Sequence, residues 1–196
     1  MRTIRITGDP SLHVLDAITE SLMSGQVVLM PTDTIYGLHA VAANEAAVAK
    51  MAAIKGRDEG KRFVVIAAST DQLWEYGAAV PDVLRSVWPA PLTAVVPHPS
   101  GNVAVRVPDL AWLRALLEHT GPLVSTSANR SGEAPIREPS ELARELQQQI
   151  DFALDAGPRE GKPSTIVDFT WSEPRFIREG EPAFAQFLRK TLRKTL

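Results

Sequence analysis

Apolar residues along the chain fall into short runs separated by turn residues, and helical spacing alternates with extended spacing. Alternating or continuous apolar runs predict strands at residues 2–6, 26–30, 63–67, 92–96, 103–107, 123–126, 151–155, 165–169 and 175–178. Helical spacing and capping residues predict helices at residues 11–24, 45–54 and 110–118, after residues 69 and 139, and from about residue 183. The polar stretch 32–38 is predicted to be a loop.

This order of elements predicts the fold class. Strand–helix–strand stretches alternate with hairpins, which favours an α/β fold with a mixed sheet over a purely parallel one. The chain has 196 residues, of which 44% are hydrophobic and 22% charged, as expected for about one globular domain. No internal repeat interrupts the chain. We therefore expect a single domain with a twisted, open sheet of parallel and antiparallel strands, covered by helices on its faces.

Composition and charge narrow the function classes. The chain contains no cysteine, which excludes disulfides, thiolate catalysis and cysteine-ligated metals. Its net charge is -2, so we expect any RNA contact to be local rather than spread over the surface. No signal peptide is visible, and the longest apolar runs have the length of a strand rather than of a membrane span. The sequence predicts a cytoplasmic protein without a membrane partner.

Polar clusters follow several predicted strands and helices, at positions where α/β sheets bind ligands. They combine hydroxyls, an amide and several cations with few acidic residues, which is typical of a site for a polyanion. In the strand 103–107, Arg106 lies on the face opposite the valines and directly precedes Pro108, so we expect it at the carboxyl-terminal edge of the sheet. The clusters are Thr32-Asp33-Thr34, Lys55-Gly56-Arg57, Arg106, residues 125–132, and Ser164-Thr165 with Arg178.

Each cluster also has a purely structural interpretation. Lys55 and Arg57 could oppose a helix dipole, the Ser-Thr-Ser-Ala-Asn stretch could be a turn, and Arg106 could pair with a structural carboxylate. Other chemistries lack their motifs, because the chain has no Walker loop, no dinucleotide-binding glycine pattern and no nucleophile elbow. The four histidines show no ligand spacing, so no metal site built from protein side chains is predicted.

Six sequence blocks in the same order resemble the YrdC-type domain of threonylcarbamoyl-AMP synthases, in the single-domain form. The resemblance covers roughly residues 10–181, so residues 1–182 are expected to form the YrdC-like domain and residues 183–196 a basic helical tail. The blocks are Pro31-Thr32-Asp33-Thr34-Ile35-Tyr36-Gly37-Leu38, Lys55-Gly56-Arg57, Trp88-Pro89-Ala90-Pro91-Leu92-Thr93, Val103-Ala104-Val105-Arg106-Val107-Pro108, residues 125–132 and Ser164-Thr165-Ile166-Val167-Asp168.

The resemblance implies a nucleotidyltransferase that converts L-threonine, bicarbonate or CO2, and ATP with Mg2+ into threonylcarbamoyl-AMP and pyrophosphate. A separate transferase would then use the product to modify position 37 of tRNA. Carried over position by position, the implied catalytic residues are Lys55, Arg57, Ser127 and Asn129. The same four residues, with Asn102 and Arg178, are the implied ATP-binding set. The implied threonine-binding residues are Thr32, Arg106, Ser125 and Ser164.

The sequence departs from the family pattern at three places. Ile66 stands where the family often has a histidine, and Asn102 replaces a threonine four residues before Arg106. The segments 161–165 and 178–180 are closer to the YciO branch. An alternative function is therefore a YciO-like RNA-binding or tRNA/ribosome maturation factor without synthase activity. The intact Lys-x-Arg and Ser-x-Asn signatures favour the synthase.

Overall fold

Ten short strands form one mixed sheet in the computed structural model. The structure describes residues 1–56, 63–130 and 133–195, with residues 194 and 195 described by their backbone alone. The strands are β1 (Arg2–Arg5), β2 (Val28–Pro31), β3 (Tyr36–Val41), β4 (Val64–Ile66), β5 (Leu92–His98), β6 (Gly101–Arg106), β7 (Leu123–Ser127), β8 (Phe152–Asp155), β9 (Thr165–Asp168) and β10 (Arg175–Arg178). The helices are α1 (Leu12–Met23), α2 (Glu45–Lys55), α3 (Thr70–Glu75), α4 (Asp82–Val87), α5 (Ala111–Thr120), α6 (Arg144–Gln147) and α7 (Pro182–Thr195), with a 3-10 turn at Pro139–Glu141.

The strand order is β1-β8-β2-β3-β7-β4-β6-β5-β9-β10, with parallel and antiparallel neighbours in the same sheet. This confirms the predicted fold class. β2 and β7 are both antiparallel to β3, whereas β4 and β6 run parallel to each other and β4 is antiparallel to β7. Consequently β2 and β7 end at one edge of the sheet, while β4 and β6 end at the opposite edge.

The predicted loop at residues 32–38 is wrong from Tyr36 onward, because Tyr36–Val41 is a strand paired with β2 and β7. Gly37 and His39 hide the apolar pattern of this strand. A Cβ at Gly37 would lie 2.8 Å from Cε1 of His39 and 3.1 Å from the carbonyl oxygen of Thr126. The glycine is therefore required for close packing inside the sheet and does not mark a turn.

Two apolar layers cover the two faces of the sheet. One contains Val103 and Val105 of β6, together with residues of α2 and α7. The other contains α1 and α5, packed on Ile66 and on neighbouring strand residues. α7 forms at the predicted basic tail and buries Ala185, Leu188 and Leu192. Alternation along each strand therefore decides which side chains lie among α1 and α5 and which lie on the other face.

Candidate active site

Lys55 is the last residue of α2, and local sequence signals place it there. The Asn44 side chain caps the helix by accepting a hydrogen bond from the Ala47 amide at 3.0 Å. Gly56 ends the helix in the left-handed conformation, with φ of 55°, which glycine adopts without strain. The Lys55 side chain is buried, with 7% exposure. The helix boundaries therefore point this ammonium group inward rather than to solvent.

The ammonium of Lys55 is held by oxygens of the segment that follows β7. Nζ donates to the carbonyl oxygen of Ser127 at 2.9 Å, to Oδ1 of Asn129 at 3.0 Å and to the carbonyl oxygen of Asn129. Ser127 Oγ donates to the same Asn129 Oδ1 at 2.6 Å, and Asn129 Nδ2 donates to the Glu133 carbonyl at 2.6 Å. The described acceptors of Lys55 thus lie outside its own helix, unlike those of a residue that only opposes the helix dipole.

Two further residues were assigned to the nucleotide from the sequence. Arg57 lies outside the described residues. Asn102 is exposed near the start of β6. Ala104, Val64 and Ser125 are aligned across β6, β4 and β7. Asn102 and Ser127 each lie two residues from this row toward the same edge, so Asn102 shares a face and an edge with Ser127.

Arg106 ends β6 on the face opposite Val103 and Val105, as the alternation predicts. Its neighbour in β4, Ile66, belongs to the layer of α1 and α5. Arg106 Nη1 donates to Thr34 Oγ1 at 3.0 Å, and Nη2 lies 2.6 Å from Oδ1 of Asp33. The two charged side chains are 7% and 8% exposed. Arg106 is therefore buried beside a protein carboxylate.

This contact joins two polar clusters that follow strands ending at opposite edges of the sheet. β2 ends at Pro31 at one edge, and β6 ends at Arg106 at the other. Because Arg106 nevertheless touches Asp33 and Thr34, the turn 32–35 must fold over a face of the sheet. In a parallel sheet, both strands would end at one edge and these residues would meet there. The mixed strand directions instead place the contact between the turn and Arg106 over a face of the sheet.

Thr32 shapes that turn. Its Oγ1 accepts hydrogen bonds from the amides of Thr34 at 3.2 Å and Ile35 at 3.3 Å, and donates to the Ile35 carbonyl at 2.9 Å. A hydroxyl that bonds to nearby backbone groups stabilises a turn in this way. The described hydrogen bonds of Thr32 remain within the turn, and they orient Asp33 and Thr34 toward Arg106.

Ser164 and Arg178 lie beside Arg106 at the same edge. Arg178 Nε and Nη2 donate to the Ser164 carbonyl at 3.1 and 2.9 Å, and Ser164 Oγ lies 2.8 Å from Oγ1 of Thr93. Partial desolvation lowers the pKa of the Arg178 guanidinium below its ordinary value, and the nearby charge of Arg106 lowers it further. Asp33 contacts Arg106, and the second guanidinium, that of Arg178, lies close enough for its pKa to respond to the charge of Arg106, which leaves a local positive charge suited to an anion.

Ser125 lies in the middle of β7, on the same face as Arg106. It pairs with His39 of β3 and Val64 of β4. Ser125 is partly exposed, whereas His39 is fully buried. Ser125 therefore lies between the edge of the Lys55 group and the edge of the Arg106 group.

The segment 156–164 crosses over the site from β8 to β9, and we call it the crossing segment. The Tyr36 hydroxyl accepts a hydrogen bond from the Ala156 amide and donates one to the Gly157 carbonyl, both at 2.9 Å. Further along, Gly161 lies so close to Thr34 that a Cβ would be 2.0 Å from the Thr34 carbonyl oxygen. The crossing segment thus closes over the turn 32–35, where Thr32 and Thr34 are only 5% and 6% exposed.

Gly161→Ala is expected to displace the crossing segment from the turn. Because the nearest atom is backbone oxygen, we expect a loss of about 1–3 kcal/mol in the free energy of unfolding, the usual cost of overpacking. Chemical denaturation would measure it. Gly157→Ala is a comparison in which only backbone strain is introduced, because nothing lies within 4 Å of the added Cβ but the φ of Gly157 is 74°. Equal stability of Gly161→Ala and the wild type would contradict the close contact.

His39 is a buried, uncharged residue of the same face. Burial lowers its pKa from 6.5 to about 4, and the charge of Arg106 contributes to the decrease. Between these two pH values the unfolded chain binds a proton that the folded chain excludes. The free energy of unfolding should therefore fall as pH decreases from 6.5 to 4, by about 3 kcal/mol at 1.36 kcal/mol per pKa unit. Denaturant titrations of the wild type and His39→Gln would test this. A similar slope in both proteins would assign the acid sensitivity to other groups.

The geometry brings most of the residues selected from the sequence into two groups, one where α2 meets the end of β7 and one around the end of β6. Lys55, Ser127 and Asn129 form the first; Arg106, Ser164, Arg178 and the turn that starts at Thr32 form the second. Sequence reasoning did not assign Asp33, Thr34 or Thr93 to the site. Asp33 and Thr34 were part of a polar cluster noted in the sequence, and Thr93 lies in a matched block. No sequence signal paired Thr93 with Ser164.

Within residues 1–56, 63–130 and 133–195, no cluster of three or more histidine and acidic side chains could hold a metal ion. In the same part of the chain, no helix is long and apolar enough to cross a membrane. The fold and the site define a class: an α/β domain that buries a cationic group over one face of a mixed sheet.

Comparison with known proteins identifies the family. Residues 20–180 match the Sua5/YciO/YrdC family, described as telomere recombination, and this chain belongs to that family. A Mycobacterium tuberculosis H37Rv protein, provisionally named threonylcarbamoyl-AMP synthase, is 35% identical over 175 residues, covering 82% of this chain and 81% of the relative. The threonylcarbamoyl-AMP synthase of Marinobacter nauticus is 33% identical over 181 residues, covering 83% and 94%.

Solved structures agree with this membership. The crystal structure of P. abyssi Sua5 complexed with L-threonine matches with a TM-score of 0.88 and 28% identity. The match covers 97% of this chain, which spans 61% of the Sua5 chain. E. coli YciO matches with a TM-score of 0.80 and 23% identity over 92% of this chain and 95% of its own. At that identity, the YciO match shows the fold alone.

Proposed function

We propose that this protein is a threonylcarbamoyl-AMP synthase, which converts L-threonine, bicarbonate or CO2, and ATP into threonylcarbamoyl-AMP and pyrophosphate. The names of the sequence relatives and the threonine complex of Sua5 support this function over the RNA-binding alternative. The observation that carries the proposal is the pair of cationic groups, one around the buried Lys55 and the other around the buried Arg106, with Arg178 at the same edge as Arg106.

The chemistry requires two anions to meet. An oxygen of the threonine carbamate attacks the α-phosphorus of ATP, a new P–O bond forms, and the bond to the departing pyrophosphate breaks. Such a step needs positioned cations and hydrogen-bond donors rather than a protein nucleophile. We assign ATP to Lys55, Arg57, Ser127, Asn129, Asn102 and Arg178, of which Arg178 lies at the edge of the Arg106 group. Mg2+ would arrive with the triphosphate and neutralise part of its charge.

The threonine is assigned to the group at Arg106. Arg106 offers a planar cation for the carboxylate. Ser164, at the same edge, and Ser125, in the middle of β7 between the two edges, each offer a hydroxyl group. Thr32 is assigned to the same subsite, where it also holds the turn that carries Asp33 and Thr34. A downstream tRNA-modifying transferase, a local RNA contact and a cytoplasmic location remain predictions from the sequence.

A pyrophosphate-release assay tests the proposed function. Purified protein with ATP, Mg2+, bicarbonate and L-threonine should release pyrophosphate only when all components are present, and threonylcarbamoyl-AMP should be detected by mass spectrometry. A Lys55→Ala variant purified in the same way serves as the low-activity control, which measures pyrophosphate released by contaminating enzymes. Folded protein that binds ATP but releases no threonine-dependent pyrophosphate would overturn the proposal.

The choice of amino acid is a separate prediction. Serine lacks one methyl group, for which a pocket discriminates by only about 1–3 kcal/mol, whereas valine leaves the groups that bind the hydroxyl unpaired. We expect weak turnover with serine and almost none with valine, measured as kcat/KM in the same assay. Equal turnover with valine would contradict the assignment of Thr32 and Ser164 to the threonine subsite.

A further inference from the structure

The carboxylate of Asp33 is buried but incompletely satisfied. Its side chain is 8% exposed, and Oδ1 lies 2.6 Å from Arg106 Nη2. The angle of this contact is not that of a hydrogen bond, so neither oxygen of Asp33 has a hydrogen-bond donor among the described residues. Nε and Nη2 of Arg106 likewise have no acceptor there. Asp33 and Arg106 thus form an ion pair with unused bonding capacity on both members.

Buried polar atoms in folded proteins are nearly always hydrogen-bonded, because the low dielectric makes an unmatched group costly. A group of four such atoms on two adjacent side chains indicates a place where a polar ligand completes the bonding. The ligand must supply hydrogen-bond donors to a carboxylate and acceptors to a guanidinium at the same time. Arg178, the second guanidinium nearby, adds a further demand for negative charge.

An α-amino acid meets this demand, since its ammonium and carboxylate groups are attached to one carbon. We propose that Asp33 binds the α-ammonium group of threonine while Arg106 binds its carboxylate, an inference that rests on the proposed function. The threonine zwitterion then lies alongside the ion pair, with its ammonium next to Asp33 and its carboxylate next to Arg106. Each of the four unsatisfied atoms gains a hydrogen-bond partner. Asp33 is therefore the residue that selects an amino acid over other small carboxylates.

This role also positions the nitrogen on which the carbamate forms. The turn 32–35 holds Asp33 rigidly, because Thr32 Oγ1 bonds to the backbone of Thr34 and Ile35. Thr34 connects the turn to Arg106 through its hydroxyl at 3.0 Å. On its other side the turn is fixed by the crossing segment, because Gly161 lies directly against the Thr34 carbonyl.

The test compares two ligands that differ only in the amino group. L-threonine and 3-hydroxybutyrate share the carboxylate and the β-hydroxyl, so their affinity ratio isolates the ammonium contact. By calorimetric titration, the wild type should bind threonine at least about tenfold more tightly, as expected for a buried hydrogen bond between charged groups. In Asp33→Asn the ratio should fall to within about threefold. Asp151→Asn is the control, because the Asp151 carboxylate lies away from the site and pairs with Lys50 at a distance of 2.5 Å. This variant should keep the wild-type ratio.

The outcomes separate the inference from the proposed function. If the folded wild type binds ATP but no threonine, the proposed function fails. If it binds threonine and Asp33→Asn keeps the full ratio, Asp33 is only a structural partner of Arg106 and the inference alone fails. Should Asp33→Asn not fold, the double variant D33N/R106Q removes both charges together and leaves no unpaired buried ion. Its ratio should also fall to within about threefold, and a preserved ratio would overturn the assignment.

Discussion

Lys55→Ala is expected to reduce turnover by at least one to two orders of magnitude. The substitution removes a buried cation from the proposed phosphate group, where a charge-assisted contact in a low-dielectric site contributes strongly to the transition state. It also leaves the carbonyl oxygens of Ser127 and Asn129 without a donor that holds them. Steady-state kinetics with ATP varied at saturating threonine would measure the effect. Arg57→Ala should act in the same direction.

The environment of Lys55 changes one expectation for this variant. A lysine on a polar loop edge could be replaced with little change in melting temperature, but Lys55 is 7% exposed and its ammonium contacts three oxygens. We therefore expect Lys55→Ala to lower the free energy of unfolding as well, by about 1–3 kcal/mol. Lys50→Ala, whose side chain is 41% exposed on the same helix, is the matched control. Wild-type turnover in folded Lys55→Ala would contradict the assignment to ATP.

The sheet was largely predictable because its strands are short apolar runs bounded by turn residues. β3 was the exception, since Gly37 and His39 interrupt its apolar pattern for reasons that only tertiary packing reveals. The glycine makes room for the His39 ring and for the Thr126 carbonyl. A strand with both neighbours in place can include residues that local propensity disfavours, because burial and pairing outweigh propensity.

The candidate site was predictable in its residue types but not in its arrangement. Thr32, Arg106, Ser164 and Arg178 were selected as separate polar clusters, and the structure brings them together. Strand direction decides where each strand ends, and long-range pairing decides strand direction. The contact between Asp33 and Arg106 spans 73 residues of sequence and depends on a turn that folds over the sheet. No local pattern in the sequence contains that information.

Arg106→Lys is expected to raise the KM for threonine at least about tenfold, while the KM for ATP changes much less. Arginine presents several donors in one plane, and here Nη1 already bonds to Thr34 while Nη2 lies against Asp33. A lysine keeps the positive charge beside Asp33 but cannot reach Thr34, Asp33 and a substrate carboxylate with the same geometry. Losing one charged hydrogen bond, about 1.4 kcal/mol, corresponds to the tenfold change.

Two further variants make this prediction specific to the guanidinium group. Arg85→Lys alters an exposed arginine that pairs with Asp71 at 2.8 Å, and should leave both KM values unchanged. Arg106→Met leaves Asp33 as a buried charge without its cation, so it should destabilise the protein by about 3–5 kcal/mol. An equal rise of both KM values in Arg106→Lys would indicate a general distortion of the site. An unchanged threonine KM would show that Arg106 serves Asp33 and Thr34 alone, and the substrate carboxylate would then belong to Arg178, the other guanidinium at this edge.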